Sequence, residues 1–547
     1  MSKRWARILA VSILAVFLFN SMGSACTTIL VGKKASVDGS VMVTHTCDGW
    51  YDNRVRVIPG GNHPEGEMVP VYKEICHGTR PDLPLVKVGE IPQVKETYTY
   101  FHVAYPFMNE HQVIMGEATW TGRDENYCPN GWMMIEQLQV FGLQRAKTAR
   151  EAIKVMTGLA EKYGYGDGGE TLLVIDKNEG WIFDICGPGP LWTPESRKPG
   201  AIWVAQRVPD DCITVVANRT RIGTIDWDDK ENFVYSSNIK SFAQEMGWWK
   251  PGEPFVFHKI YNPEPYGTPY YQQRREWRVL SLLAPSLKLK ENAAEMYPLM
   301  VKPDKKVSVK DLIKINRDYH EGTRFDLTKG LAAGPFGTPN RYSTPAEVRP
   351  EGRKHVDWTR AISMFRCSYS FVAQARSWLP DPLGGVLWFG EDAPHSTVYM
   401  PIYAGVTSLP KSITECTRAE FDRDSAYWAF NFVSNWADLK FNYMIQDIKA
   451  AQKAFEDEFF MYQPVIEEEA FALYRENPAK AKSYLTEYVN KNINKVVNRW
   501  WTLARELVGK YCDGFITYPD GKQESVGYPT WWLETVEFGK EELEPKE

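Results

Sequence analysis

The chain has 547 residues, 44% of them hydrophobic, 24% charged and 13% aromatic, with 20 tryptophans, and this composition excludes a disordered or fibrous protein. Its formal net charge is -5 and it has no basic block, so it offers no electrostatic footprint for nucleic acid. Length alone admits one large domain with additions or two to three domains.

The first residues carry the strongest signal. Lys3, Arg4 and Arg7 precede an apolar run from Ile8 to Phe19, followed by Asn20-Ser21-Met22-Gly23-Ser24-Ala25. This is the pattern of an export signal with a small-x-small cleavage site. The run falls short of the roughly 20 residues that span a bilayer as a helix, and no later stretch is apolar enough to do so. Cleavage after Ala25 would give an exported chain, periplasmic or secreted, that begins with Cys26 and its free α-amine. An alternative is that Cys26 is the lipidated cysteine of a lipoprotein, although Gly23-Ser24-Ala25 lacks the large aliphatic residue usual three positions upstream.

From Cys26 onward the pattern is strand-like. Thr27 to Val31 and Ser40 to Thr44 flank the turn residues Asp38-Gly39, which predicts a hairpin. Further strands are expected at Tyr98 to Ala104 and Gln112 to Glu117. A helical stretch is expected from Ile135 to Tyr163, with a break near Gly142. A second hairpin is predicted from Thr171 to Ile185 around Lys177-Asn178-Glu179-Gly180, and strands at Ile202 to Ala205 and Ile213 to Ala217. Residues 220 to 410 are rich in Pro, Gly and aromatics, with helices expected near 308 to 318 and 358 to 376 and strands near 385 to 389 and 396 to 400. Amphipathic helices are expected from Ser425 to Phe460 and from Pro478 to Lys510, separated by Pro464 and the Asn477-Pro478 start signal. A charged tail follows Phe538. Strands and helices in blocks predict an α+β fold of stacked sheets with helical outer layers. The division expected is a signal peptide at 1–25, a catalytic domain at 26–410 and a helical C-terminal region at 411–547.

The eight cysteines after Cys26 are scattered and form no CxxC pair or Cys/His metal spacing. There is no HExxH, GxSxG elbow or phosphate-binding glycine loop. What remains is the chemistry of a leading cysteine. A thiol has an ordinary pKa near 8.5 and an α-amine near 7.7 to 8.0, so one residue supplies both nucleophile and base. Attack on an amide gives a thioester that water hydrolyses, and no metal or cofactor is needed for it.

Such a site needs an anion for the ammonium and a donor for the oxyanion. Asp48, at the end of the hairpin's return strand, is the candidate for the first, against a plain turn role in Asp48-Gly49. Asn218, where a strand gives way to Asn218-Arg219-Thr220, is the candidate for the second. The same triplet reads as an N-glycosylation acceptor in a eukaryotic protein. Asn109 is a second candidate, against a structural turn role.

The segment from Cys26 to Ser36, CTTILVGKKAS, followed by Asp38-Gly39-Ser40, resembles the opening of the cysteine dipeptidases among the N-terminal-nucleophile (Ntn) hydrolases. The resemblance continues through Asn109-Glu110-His111, Trp203 to Pro209, Ala217-Asn218-Arg219, Phe325 to Gly330 and Gly385 to Trp388, ending near Pro401-Ile402-Tyr403. It implies a four-layer αββα sandwich and hydrolysis of dipeptides, with relatives that cleave penicillins and conjugated bile acids. An N-acyl amide is therefore the alternative substrate, and a non-enzymatic lipoprotein the alternative class. Many such enzymes have an Arg three residues before the residue matching Asp48, where this chain has His45. The contact made there is weakened, pH-dependent or passed to Arg54 or Arg56, unless His45 is a plain strand histidine. A dipeptide's ammonium wants a carboxylate, for which Glu117 and Glu170 are candidates. Its carboxylate wants a cation, for which Arg219 is one. Each of these three also reads as a surface or hairpin charge. The partner expected is a small peptide; a homo-oligomer is left open.

Overall fold

A computed structural model of the chain describes residues 26–263, 269–342 and 358–539. The proposed signal peptide at 1–25 and the end of the charged tail lie outside the described residues.

Fourteen strands build two large sheets. In chain order they are β1 (Thr28–Val31), β2 (Val41–Asp48), β3 (Arg56–Ile58), β4 (Tyr100–His102), β5 (Met108–Asn109), β6 (Ile114–Thr119) and β7 (Glu170–Ile175). They continue with β8 (Gly180–Cys186), β9 (Ile202–Val208), β10 (Ile213–Val216), β11 (Phe233–Tyr235), β12 (Cys367–Ala375), β13 (Val386–Glu391) and β14 (Met400–Tyr403). The six-stranded sheet runs β10-β1-β2-β12-β13-β14 and the eight-stranded sheet β11-β9-β8-β7-β6-β5-β4-β3. Every ladder in both is antiparallel.

The two sheets meet where β1 and β2 pack against β6 and β7. Gly116 on β6 allows this approach: a Cβ there would lie 2.5 Å from Thr28 Oγ1 and 2.6 Å from the Thr44 carbonyl. Strands covered on both faces are buried throughout, whether their side chains are apolar or polar. β1, β2, β7, β8 and β12 are accordingly buried along their whole length.

Seven longer helices flank the sheets: α1 (Ile135–Arg145), α2 (Ala149–Tyr163), α3 (Arg274–Leu283), α4 (Val309–Asn316), α5 (Ala426–Ala437), α6 (Phe441–Glu476) and α7 (Pro478–Lys510). α2 packs on β7, β8 and β9; α4 packs on β2 and β12; α5, α6 and α7 reach β13 and β14. Buried apolar side chains form one cluster from β1 through to α7. No helix among the described residues is long and apolar enough to cross a membrane.

Three expectations need correction. Residues 358 to 376 were expected to be helical, but Cys367–Ala375 is a central strand between β2 and β13. A buried apolar run has no distinctive period, and its Tyr369, Phe371 and Val372 favour the strand. The α1–α2 break falls at Ala146 to Thr148, where the Thr148 side chain accepts from Glu151 N, and not at Gly142. Gly142 stays helical and lets Met115 and Met156 approach. Pro464 lies within α6, which continues to Glu476. Packing of its apolar face on α7 outweighs an interior proline's cost of about 3 kcal/mol. The Asn477-Pro478 signal does start α7, with Asn477 accepting from Ala479 N.

Candidate active site around Cys26

The β1–β2 hairpin determines what surrounds Cys26. Its turn closes through Asp38 Oδ1, which accepts from Ser40 N at 3.0 Å, and Gly39 takes φ 87°. Leu30 pairs with Val43 and Thr27 with Thr46, so one further step of this register sets Cys47 opposite Cys26, with Asp48 next along the strand. Threonine hydroxyls bind the two strands. Thr27 N donates to Thr46 Oγ1 and Ile29 N to Thr44 Oγ1, each at 3.0 Å, and Thr28 Oγ1 donates to the Thr44 carbonyl.

Cys26 is fully buried, and that burial, with the Cys47 thiol and Glu117 beside it, pushes its thiol well above the ordinary range. His45 and Glu117 project to the same place: one side-chain atom from each of Cys26, His45 and Glu117 lies within 4.8 Å of the other two. His45 Nε2 is 3.2 Å from Glu117 Oε2. Burial alone would lower the imidazole, but Cys26 and Glu117 outweigh it and raise His45 to about 10. Glu117 is opposed by burial and held below its ordinary value by His45, while Glu170 is raised by burial and by the charge of Glu117. Two buried carboxyls side by side thus divide their roles, with Glu117 ionised and Glu170 protonated. Neither is the surface or hairpin charge that was the alternative reading, since both are buried.

Asp48 is also buried, and its Oδ2 pairs with the Arg360 guanidinium. Its Oδ1 has no hydrogen-bond partner. Asn218 follows β10 with φ 60°, a left-handed conformation that asparagine tolerates better than most residues. Its Nδ2 donates to the Thr119 carbonyl at 2.7 Å, and its Oδ1 accepts from Arg275 Nη2 at 2.9 Å. A side chain so buried and engaged is not a glycan acceptor in the folded chain.

Arg275 joins these parts. Its Nη1 donates to the Cys26 carbonyl at 2.8 Å and to Thr27 Oγ1 at 2.9 Å. Nη2 donates to Asn218 Oδ1 and the Ala217 carbonyl, and Nε to the Tyr271 carbonyl. Burial and the neighbouring Arg360 charge push its pKa down to about 10. Neither Arg275 nor Arg360 was legible in the sequence. Arg275 stands 249 residues from Cys26 in a charged helix start, Arg274-Arg275-Glu276, that reads as a solvated face.

The other candidates lie differently. Asn109 spends its side chain on a turn: Nδ2 donates to the Leu143 and Ala146 carbonyls, and Oδ1 accepts from His111 N and Val113 N. That is the structural turn role that was the alternative reading. Arg54 and Arg56 both pair with Asp52, so the cations near Cys26 are Arg275 and Arg360 instead. Arg219 is buried and lines a cavity of about 590 Å³ with His258, Asn262 and Glu295. Another cleft, of about 920 Å³, lies between α6, α7 and residues 517–519, and none of the Cys26 cluster lines it. None of the nine cysteines is in a disulfide.

The start of the β1–β2 hairpin thus carries a buried cysteine with Arg275 on its carbonyl and Arg360 on Asp48 of the neighbouring strand. The model of Peptidase family C69 matches residues 25–454, and the chain belongs to that family of cysteine peptidases. It is 25% identical over 419 residues to a "Probable dipeptidase" of Latilactobacillus sakei, covering 74% of this chain and 79% of that protein. It is 28% identical over 399 residues to a "Probable dipeptidase" of Salmonella dublin, covering 70% and 81%. It is 26% identical over 433 residues to "Dipeptidase A" of Lactobacillus helveticus, covering 76% and 82%.

Proposed function

We propose that this chain is an exported dipeptidase of the N-terminal-nucleophile type, with an αββα catalytic sandwich, in which Cys26 becomes the first residue when the segment ending at Ala25 is removed. The observation that carries the reading is that Arg275 ties the carbonyl of the residue the cleavage would expose to Asn218 Oδ1, while the β1–β2 register sets Asp48 next to the residue opposite Cys26. Before cleavage the nitrogen of Cys26 is a peptide nitrogen and cannot act as a base. After it, the α-amine takes the thiol proton, and the sulfur attacks the dipeptide carbonyl. The amide of Asn218, oriented by Arg275, donates to the oxyanion. Collapse expels the C-terminal amino acid, whose nitrogen receives the proton from the Cys26 ammonium, and leaves a thioester. Water, deprotonated by the same amine, then releases the N-terminal amino acid.

Asp48 Oδ1, buried and lacking a hydrogen-bond partner, suits the ammonium that forms in each half-reaction, while Arg360 engages the other oxygen, Oδ2. The names borne by the relatives support a dipeptide over an N-acyl amide as substrate. The test is hydrolysis of unblocked dipeptides by the processed chain and by Cys26→Ala, with intact mass establishing where the chain begins. Activity that survives in Cys26→Ala, or an active chain whose leading amine is lipidated, refutes the mechanism.

A further inference from the structure

No linear metal motif exists in the sequence, yet the fold assembles one from three distant segments. Cys26 precedes β1, His45 sits on β2 and Glu117 on β6 of the opposite sheet, and one ligand atom from each lies within 4.8 Å of the other two. All three residues are 0% exposed.

Two readings of this cluster can be told apart by geometry. In a proton relay the imidazole stands between thiol and carboxylate, giving one nitrogen to each and holding them on opposite sides of the ring. Here a single set of atoms forms a closed triangle, as ligands do around one ion. The hydrogen-bond pattern agrees. Both nitrogens of His45 and Oε2 of Glu117 are buried and make no well-aligned hydrogen bond, Nε2 and Oε2 meeting only as an ion pair at 3.2 Å. The other carboxylate oxygen, Oε1, accepts from Thr119 Oγ1 at 2.9 Å, the kind of outer contact that orients a ligating carboxylate. The rings of Tyr105, Tyr369 and Phe371 pack edge-on around the imidazole and hold its orientation.

We infer that Cys26, His45 and Glu117 form a binding site for a zinc-type divalent cation, whose occupation blocks the cysteine nucleophile. One thiolate, one imidazole and one carboxylate match zinc's ligand preferences and leave a fourth position open. A dication with a thiolate and a carboxylate is neutral overall, which lowers the cost of enclosing it away from water. Binding displaces the thiol proton and the imidazolium proton of His45 to solvent, so one electron pair each from the sulfur and the ring nitrogen is held by the metal. Once Cys26 leads the chain, its α-amine can close a chelate with its own sulfur at the fourth position. Hard cations such as magnesium or calcium, which prefer oxygen ligands, are not expected there.

Binding does not depend on the proposed hydrolysis, whereas inhibition rests on Cys26 being its nucleophile, and one experiment separates them. The reduced, chelator-washed chain is titrated with Co²⁺ alone, following the near-ultraviolet thiolate-to-cobalt absorption, and then with Zn²⁺. The expected result is a band saturating at one cobalt per chain, removed by Zn²⁺ and absent in Cys26→Ser. Affinity should fall at least about tenfold in His45→Gln and in Glu117→Gln. Glu117→Gln is nearly isosteric and serves if His45→Gln does not fold. Dipeptide hydrolysis should fall in step with zinc occupancy and return with chelator. No band, or a band unchanged in Cys26→Ser, overturns the site. A band with undiminished hydrolysis overturns the inhibition and the nucleophile assignment together. A band in a chain that never cleaves dipeptides leaves the site standing and removes the proposed function.

Discussion

Arg275 is the residue whose replacement tests the assembly of the site most directly. Its guanidinium has five N–H donors and meets five oxygen acceptors: the carbonyls of Tyr271, Cys26 and Ala217, Thr27 Oγ1 and Asn218 Oδ1. Lysine keeps the charge but brings only three donors, so Arg275→Lys leaves at least two of those acceptors without this partner. A hydrogen bond to a charged group contributes about 1.5–3 kcal/mol, so the loss is about 3–6 kcal/mol. That is a large part of a typical folding free energy of about 5–15 kcal/mol. The variant should unfold at markedly lower urea concentration. Since Arg275 holds Cys26 and Asn218 together, kcat should fall about 10²-fold where the protein is still folded. KM should change less, because the lost contacts orient the reacting groups more than they grip the substrate. Urea unfolding by tryptophan fluorescence and steady-state dipeptide hydrolysis read the two effects. An unchanged kcat in the folded variant would refute the claim that this guanidinium positions the site.

Asn218→Ala removes the proposed oxyanion donor and should lower kcat by about 10²–10³, with near-normal substrate binding, measured by steady-state kinetics. Gly116→Ala would set a methyl 2.5 Å from Thr28 Oγ1 and force the two sheets apart, destabilising the fold by about 1–3 kcal/mol in urea unfolding. Asp184 gives a pH-dependent term. It is fully buried, and burial outweighs the hydroxyls of Thr171 and Thr220 to raise it to about 7 from 3.8. A carboxyl raised in the folded state favours folding below its unfolded pKa, and this advantage is lost as pH climbs from about 4 to about 7. At about 1.4 kcal/mol per unit, the contribution of Asp184 to stability should drop by about 4 kcal/mol across that window. Asp184→Asn should flatten the drop, as followed by urea midpoints at a series of pH values.

The local features of the active hairpin were readable because they depend on neighbours in the chain. Asp38-Gly39 demands a tight turn and alternating β-formers demand strands, so the offset from Cys26 to Asp48 follows from the register. Asn218 was readable as a strand end, and α7 as an amphipathic run with an Asn-Pro start. Strand β12 was misread because a segment buried on both faces loses the alternation that marks a strand.

Long-range partners were a different matter. Glu117 and Glu170 look like ordinary hairpin charges until two sheets close over them, and only then does burial make one carboxyl share a site with His45 and the other hold its proton. Arg275 and Arg360 look like solvated helix or loop charges until folding carries them to Cys26, Asn218 and Asp48. Which residue carries the sulfur, and on what turn, is a matter of local propensity and spacing, and the amino-acid order alone determined it. What charge surrounds that sulfur depends on desolvation and on contacts between segments hundreds of residues apart, and only the tertiary structure decided it.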